Sequence, residues 1–386
     1  MSRRRVFFYV QHLLGIGHLR RAATLARAFT AAGLDVALVS GGHDVPGLDV
    51  ASARFIQLPP TRATDLYFKV LVDDNDAAID DSWRARRREA LHKAWLEYRP
   101  HVLLFELFPF GRRQLRFEIV PLLDAAVAGP HRPCIASSVR DILVAQHKPG
   151  RNDEMLGLIE GYFDRVLVHG DPSLVPFERT FPHAARIAGK IAYTGYVVDR
   201  TGKRGGPGSP GDGEVVVSAG GGAVGLALLQ TAIAARAKTR LKSSRWRVLV
   251  GVSVSAADFE SLRAVAPDGV VVERARADFT SLLMNCALSI SQGGYNTVME
   301  LLDAGARAIV VPYAGGIETE QTLRARALEA RGAIHVLDEA ALTPARLAAA
   351  VETAIDAPPG HSGELDTGGA ERSAALVEEW AEAVPW

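Results

Sequence analysis

Two cysteines, a zero charge balance and no long apolar run exclude several classes before any motif of this 386-residue chain is considered. Cys134 and Cys286 are too few for a disulfide framework. Each sits within an apolar stretch and reads as a small buried hydrophobe in a reducing compartment. The 44 basic and 44 acidic residues cancel, so the positive field of a general nucleic-acid binder is missing. No stretch approaches the roughly 20 apolar residues that span a bilayer. The opening MSRRRVFFYV imitates the basic region of a signal peptide. Its apolar run, Val6 to Val10, is cut short by Gln11 and His12, so a first strand is the better reading. A soluble, cytoplasmic protein is expected. Acidic runs are few: Asp73-Asp74-x-Asp76 and Asp80-Asp81 lie in a polar stretch before a helix and read as a solvated loop or helix start, not a metal site.

What is present alternates between strand and helix. Expected strands at Val6–Val10, Asp35–Ser40, Phe55–Leu58, Val102–Phe105, Cys134–Ser138 and Arg165–His169 are separated by helices, including 82–98 and 153–163. This βαβ alternation implies a doubly wound parallel sheet. The Gly-, Pro- and charge-rich stretch 199–213 reads as an interdomain linker. A second α/β set follows over 214–370: strands at Val215–Ser218, Val248–Val252, Val270–Val272, Leu288–Ile290, Ala308–Val311 and Ala333–Leu337, a helix over 223–237, and Asp278 as a helix N-cap. An amphipathic helix over 371–386 closes the chain and is expected to pack back on the first domain, residues 1–198. The fold class is α/β, with two Rossmann-like domains facing across a cleft.

Two glycine turns draw attention. Ala287 to Gly316 reads as strand, Ser291-Gln292-Gly293-Gly294 turn, helix from Tyr295, then strand. Glycines admit a ligand close to the backbone, and a helix N-terminus favours negative charge, so the unit suits a phosphate-bearing sugar or nucleotide. Glu300 lies far enough into the helix to leave an anion undisturbed while reaching a sugar hydroxyl. Near the N-terminus, Gly15-x-Gly17 precedes His18 at the mouth of a helix whose dipole disfavours the imidazolium, so His18 is a candidate general base. A local capping role is the structural alternative. Ala22 stands beyond the expected third glycine, and Gly41-Gly42-His43 occupies the place of a ribose-binding acid after the second strand. Both argue against a nicotinamide enzyme.

The motifs GIGHLRRAATLARAF and SISQGGYNTVMELLDAGARAIVVPYAGGIETEQ resemble the GT-B glycosyltransferases of family 28, which include the lipid II-forming N-acetylglucosaminyltransferases of peptidoglycan synthesis. The N-terminal motif is shared with nucleotide-sugar hydrolases of pseudaminic acid synthesis. The resemblance implies an inverting, metal-independent transferase using a nucleotide diphosphate sugar, a UDP-sugar by analogy, as substrate and needing no separate cofactor. It places His18 near the reacting centre. Gly220, Gly221 and Gly222 fall on a turn facing the diphosphate, Ser291, Gly293 and Gly294 on the second glycine turn, and Thr297 near the phosphates. Glu300 falls on the ribose-gripping carboxylate, and Arg274 to Phe279 where the base is bound. Glu320 and Gln321 fall on a sugar-reading glutamine pair; Glu in the first place departs from the family and would read a different hydroxyl pattern from that of N-acetylglucosamine.

For the acceptor, strand ends of the first domain offer Glu106, Phe108, Arg140 and Asp141, with Asp141 a candidate to assist His18 and an Arg140–Asp141 or Arg140–Glu106 ion pair the structural alternative. The acceptor is a small molecule or a lipid-linked one; in the latter case the Trp- and Arg-rich helix at 82–98 would rest on the inner membrane as a peripheral contact. A solvated helix with its tryptophans in the core is the competing reading. A nucleotide-sugar hydrolase, a UDP-sugar 2-epimerase and a non-catalytic nucleotide-sugar-binding protein are the alternative functions.

Overall fold

The computed structural model describes residues 3–65, 68–144, 149–220, 225–315, 319–358 and 365–385, and divides into two units. The first comprises residues 1–197 and 368–386, the second residues 198–367.

In the first unit the apolar runs become β1 (Arg5–Val10), β2 (Asp35–Ser40) and β3 (Arg54–Gln57). A short antiparallel pair follows, β4 (Arg62–Ala63) with β5 (Leu71–Val72), and then β6 (Val102–Glu106), β7 (Cys134–Arg140), β8 (Arg165–His169) and β9 (Ile191–Tyr193). Helices α1 (Gly17–Ala31), α2 (Asp81–Tyr98), α3 (Arg116–Ala128) and α4 (Arg151–Tyr162) connect them. The main sheet is parallel throughout, in the order β3-β2-β1-β6-β7-β8-β9, and apolar clusters cover both its faces. Such sheets bind ligands where the strand order reverses, here between the carboxyl ends of β1 and β6.

The second unit repeats the plan. Its strands are β10 (Val215–Ser218), β11 (Trp246–Val250), β12 (Val270–Arg274), β13 (Leu288–Gln292), β14 (Ala308–Val311) and β15 (His335–Val336). Its helices are α5 (Leu226–Ala235), α6 (Ala256–Ala264), α7 (Phe279–Asn285), α8 (Tyr295–Ala304), α9 (Glu320–Glu329) and α10 (Pro344–Asp356). The parallel order β12-β11-β10-β13-β14-β15 reverses between β10 and β13. The last helix, α11 (Gly369–Ala383), belongs to the first unit and packs its Ala374, Val377 and Trp380 into the α1 side of that core.

Several local expectations are corrected. The strand expected at 248–252 starts two residues earlier because Trp246 is wholly buried and its Nε1 donates to the Leu241 carbonyl at 3.0 Å. The expected strand over 333–337 is reduced to β15. Asp278 does not cap α7: its carboxylate is taken by Arg276 at 2.7 Å. The 199–213 stretch lies within the second unit, tied to it by the Gly205 amide on Asn285 (2.9 Å) and by Arg204 on the Ala304 carbonyl (2.9 Å).

Gly41-Gly42 has a packing reason. A Cβ on Gly41 would stand 2.1 Å from the Arg87 guanidinium, and one on Gly42 would stand 2.2 Å from the His12 ring. The place of a ribose-binding acid is filled by those side chains.

In α2, Trp83 and Trp95 are buried, as the reading with its tryptophans in the core expects. Asp80 caps this helix, accepting from the Trp83 amide at 2.6 Å. No helix among the described residues is long and apolar enough to cross a membrane.

Candidate functional site

At the switch point of the first sheet, β1 leads through Gly15, exposed and with open space around it, to Gly17 at the start of α1 and then His18. The last residue of β6 is Glu106. Strand order therefore sets the two side chains together: His18 Nδ1 lies 2.9 Å from Glu106 Oε1, and Arg21, one helical turn beyond His18, donates to the same oxygen. Glu106 is 1 % exposed and His18 17 %.

Burial opposes the charge of Glu106, but Arg21 and the hydrogen bonds from His18 and Ser138 outweigh it and hold the carboxyl at about 2. His18 is pushed down to about 3, by burial first and then by the Arg112 guanidinium. Burial, followed by the Arg112 charge, is thus the first cause favouring a neutral His18. Two groups face His18 Nδ1, the Glu106 carboxylate at 2.9 Å and the Arg21 guanidinium at 3.3 Å. The ionised Glu106 is the nearer and can only accept, which favours the tautomer with its proton on Nδ1 and a bare lone pair on Nε2. Arg112, not singled out in the sequence, enters from the loop after β6 with its Nε on the Gln11 carbonyl at 2.7 Å. It makes no ion pair among the described residues.

Other expectations for this unit change. Glu106 is not an acceptor contact; it is sealed beneath His18. Phe108 is 1 % exposed and packs its ring against Phe105 and Phe163, so it is core, not acceptor surface. Asp141 is fully buried and accepts from the Ile142 amide (2.9 Å) and Tyr196 hydroxyl (3.4 Å), so Glu106 rather than Asp141 backs His18. Arg140 is half-buried at the end of β7, near enough for its charge to press on that of Arg112.

Three imidazoles, His12 and His169 buried and His18 half-buried, give a stability prediction. His12 titrates at about 4, and His18 and His169 at about 3, each lowered mainly by burial. Below about pH 6.5 the unfolded chain takes up these protons and the native chain does not, so stability is complete above that pH and lost as pH falls. Each imidazole contributes a slope of about 1.4 kcal/mol per pH unit, and the depressed Glu106 adds a further loss below its ordinary value near 4.5. The urea midpoint should drop clearly between pH 7 and pH 5; a flat midpoint would contradict the buried neutral assignment.

In the second unit the reversal falls between β10 and β13. Ser218 and Ser291 are register neighbours there, and both hydroxyls are buried without a hydrogen-bond partner among the described residues. Beyond them α5 and α8 begin at Gly225 and Gly294, with no side-chain cap and no acidic residue in either first turn. Gly225 holds φ +105°, a conformation that favours glycine. Gly220 is exposed with φ +71°; Gly221 and Gly222 lie outside the described residues. A Cβ on Gly294 would meet nothing within 4 Å, whereas one on Gly293 would stand 3.3 Å from Gln321. Thr297 and Glu300 are half-buried on the first two turns of α8.

Gln321 is thus brought beside the turn, its Oε1 accepting from the Tyr313 amide at 3.0 Å. Glu320 is not: it is buried at 3.7 Å from Arg324, whose guanidinium lies over the Tyr295 ring, so it is a structural carboxylate rather than a sugar reader. Arg274 is spent on the Gly251 and Val254 carbonyls at 3.1 and 2.8 Å and stacks on Phe259. Phe279, half-buried, opens α7. Among the described residues no group of three His, Cys, Asp or Glu could hold a metal ion. Cys134 opens β7 and Cys286 precedes β13; burial pushes both thiols up to about 12, so neither is a ready thiolate.

Residues 216–362 match the model of the glycosyltransferase family 28 C-terminal domain. Over their full lengths, two solved glycosyltransferases superpose on this chain: the calicheamicin glycosyltransferase CalG4 (TM-score 0.66, 17 % identity, 100 % of both chains) and MurG of Acinetobacter baumannii (0.56, 15 %, 97 % and 99 %). The chain therefore has the GT-B fold, and its second unit carries the match to the family 28 C-terminal domain. Curated relatives of this GT-B chain include UDP-N-acetylglucosamine--N-acetylmuramyl-(pentapeptide) pyrophosphoryl-undecaprenol N-acetylglucosamine transferases. That of Agrobacterium fabrum is 35 % identical over 81 residues, 21 % of each chain. That of Paramagnetospirillum magneticum is 29 % identical over 142 residues, 36 % of this chain and 38 % of the relative. The match to these relatives spans well under half of their length.

Proposed function

We propose that this chain transfers a sugar from a nucleotide diphosphate donor, a UDP-sugar, to an acceptor hydroxyl with inversion. The observation that carries the reading is His18 at the start of α1, its Nδ1 held 2.9 Å from a buried carboxylate so that Nε2 is left to take a proton. In the proposed reaction the acceptor oxygen bonds to the anomeric carbon as its proton passes to His18 Nε2. The anomeric C–O bond to the β-phosphate breaks, and its electron pair stays on the diphosphate oxygen. That leaving charge would be met by the first-turn amides of α8 and the hydroxyls of Ser218 and Ser291, without a bridging metal. Glu300 would accept from the ribose hydroxyls and Gln321 would read the sugar. The UDP assignment is supported by the names of the curated relatives; solved neighbours include VinC in complex with dTDP, so a thymidine nucleotide belongs in the same test. With water in place of the acceptor hydroxyl, the same groups would give hydrolysis.

Binding is tested by isothermal titration of UDP and dTDP against the full chain. Gly294→Val has room and an ordinary φ, so it should fold normally yet block the diphosphate and weaken binding at least tenfold. Glu300→Ala should weaken binding about tenfold through the lost ribose bonds. Unchanged affinity in a folded Gly294→Val would remove the diphosphate from this turn.

A further inference from the structure

Behind Glu106 a row of polar side chains runs across the carboxyl ends of four adjacent strands. Ser138 on β7 is the register partner of Glu106, and its Oγ lies 2.7 Å from Glu106 Oε2. The same Oγ lies 2.8 Å from Nε2 of His169, the last residue of β8. His169 Nδ1 in turn lies 2.9 Å from Oγ1 of Thr194, just past β9. Ser138, His169 and Thr194 are all fully buried. A serine, a histidine and a threonine aligned behind one carboxylate are more than packing requires, because apolar side chains of similar volume would fill the space without the cost of burying polar groups.

Proton counting fixes the direction of the row. An ionised Glu106 has no proton to give, so the single hydroxyl proton of Ser138 points to it. The Ser138 lone pair then faces His169, whose Nε2 must carry hydrogen. If His169 is neutral, Nδ1 is bare and takes the Thr194 proton in preference to the Gly195 carbonyl at 2.8 Å, since otherwise two lone pairs would face each other. Among these contacts of the described residues the competing filling is an imidazolium at His169, with Thr194 donating to the Gly195 or the Val168 carbonyl. Burial and then the neighbouring Arg21 charge oppose that cation, and together they outweigh the Glu106 charge that favours it.

We propose that Thr194, His169 and Ser138 form a one-directional hydrogen-bond row that holds Glu106 as the acceptor of the His18 Nδ1 proton, making His169 a positioning residue for the base in the first unit. His169 acts through Ser138 and Glu106 and touches no substrate. The value of the row to the enzyme is that His18 meets its acceptor as one tautomer: were the proton to move to Nε2, the outward nitrogen would donate instead of accept. The role of the row rests on the reading of His18 as base; its hydrogen-bond pattern does not.

The test is made on the full chain labelled with 15N at histidine, reading imidazole tautomers by long-range 1H–15N correlation, with signals assigned by single substitutions. In the wild type between pH 6 and pH 8, His169 should be neutral with hydrogen on Nε2 and His18 neutral with hydrogen on Nδ1. An imidazolium at His169, or hydrogen on its Nδ1, overturns the proposal without any variant having to fold. In His169→Leu the His18 signal should move towards a mixture of tautomers. In His169→Gln, whose amide can still donate to Ser138, it should return to the wild-type form. An unmoved His18 signal in a folded His169→Leu also overturns it.

If nucleotide-sugar turnover is found, His169→Leu should lower kcat about tenfold at unchanged donor KM, with His169→Gln largely restoring it; a loss shared by both variants, or one confined to KM, overturns the positioning role. Absence of turnover in the wild type counts against the proposed function and leaves the tautomer result to decide the hydrogen-bond row.

Discussion

Replacing Arg87 by leucine should cost the first unit about 3–5 kcal/mol, although Arg87 lies in a run, WRARRR, that reads as a solvated helix face. The side chain is fully buried. Its Nε and Nη2 fork onto Glu118 at 2.7 and 2.9 Å, Nη1 donates to the Gly41 and Pro59 carbonyls at 2.8 and 2.7 Å, and Nη2 also reaches Gln11 Oε1 at 2.6 Å. Tyr9 completes the cluster with its hydroxyl on Glu118. Leucine would strand a carboxylate in the core, and the loops after β1, β2 and β3 would lose their common anchor. A cost of this size lowers the melting temperature by roughly 10 °C for a domain of about 200 residues. Replacing Arg87 and Glu118 together by leucine should recover a large part of the loss, because the pair attracts strongly only after an expensive desolvation. Thermal unfolding of both variants checks this; a single variant as stable as the wild type would show that the pair is not formed.

His18→Ala should lower the rate of nucleotide-sugar turnover by about 10²–10⁴, the range lost with a positioned general base. UDP affinity should stay within about twofold, since the proposed nucleotide contacts all lie in the second unit. The substitution also removes one of three donors to Glu106, but Arg21 and Ser138 remain on that carboxylate, so the fold is expected to hold. A small loss of rate, or a loss that follows UDP affinity, would show His18 to be a helix-start residue with no part in the chemistry.

Much of the fold is legible in the sequence for a simple reason. Strands buried on both faces of a parallel sheet read as short continuous apolar runs, and glycine turns mark where they feed helices. Val6–Val10, Asp35–Ser40, Val215–Ser218 and Ala308–Val311 are found as expected. Less legible are the residues whose meaning depends on strand order. Glu106 follows an apolar strand and looks available to an acceptor; only the adjacency of β6 to β1 places it under His18. Phe108 carries no mark in the sequence to separate it from an exposed aromatic, yet it belongs to a ring cluster with Phe105 and Phe163. Glu320 beside Gln321 suggests a paired task, but helical geometry turns Glu320 inward to Arg324 and leaves Gln321 at the glycine turn. Ser138, His169 and Thr194 are separated by 31 and 25 positions and meet only because β7, β8 and β9 are consecutive neighbours.

The most direct test is the release of nucleoside diphosphate from a panel of UDP- and dTDP-sugars, measured side by side for the wild type, His18→Ala and Gly294→Val, with and without candidate hydroxyl acceptors. Release by the wild type that rises with an acceptor is expected, with His18→Ala binding the nucleotide but not turning over and Gly294→Val failing to bind. Equal release by the wild type and a folded His18→Ala, or tight nucleotide binding without release from any sugar donor, would contradict the proposed transferase.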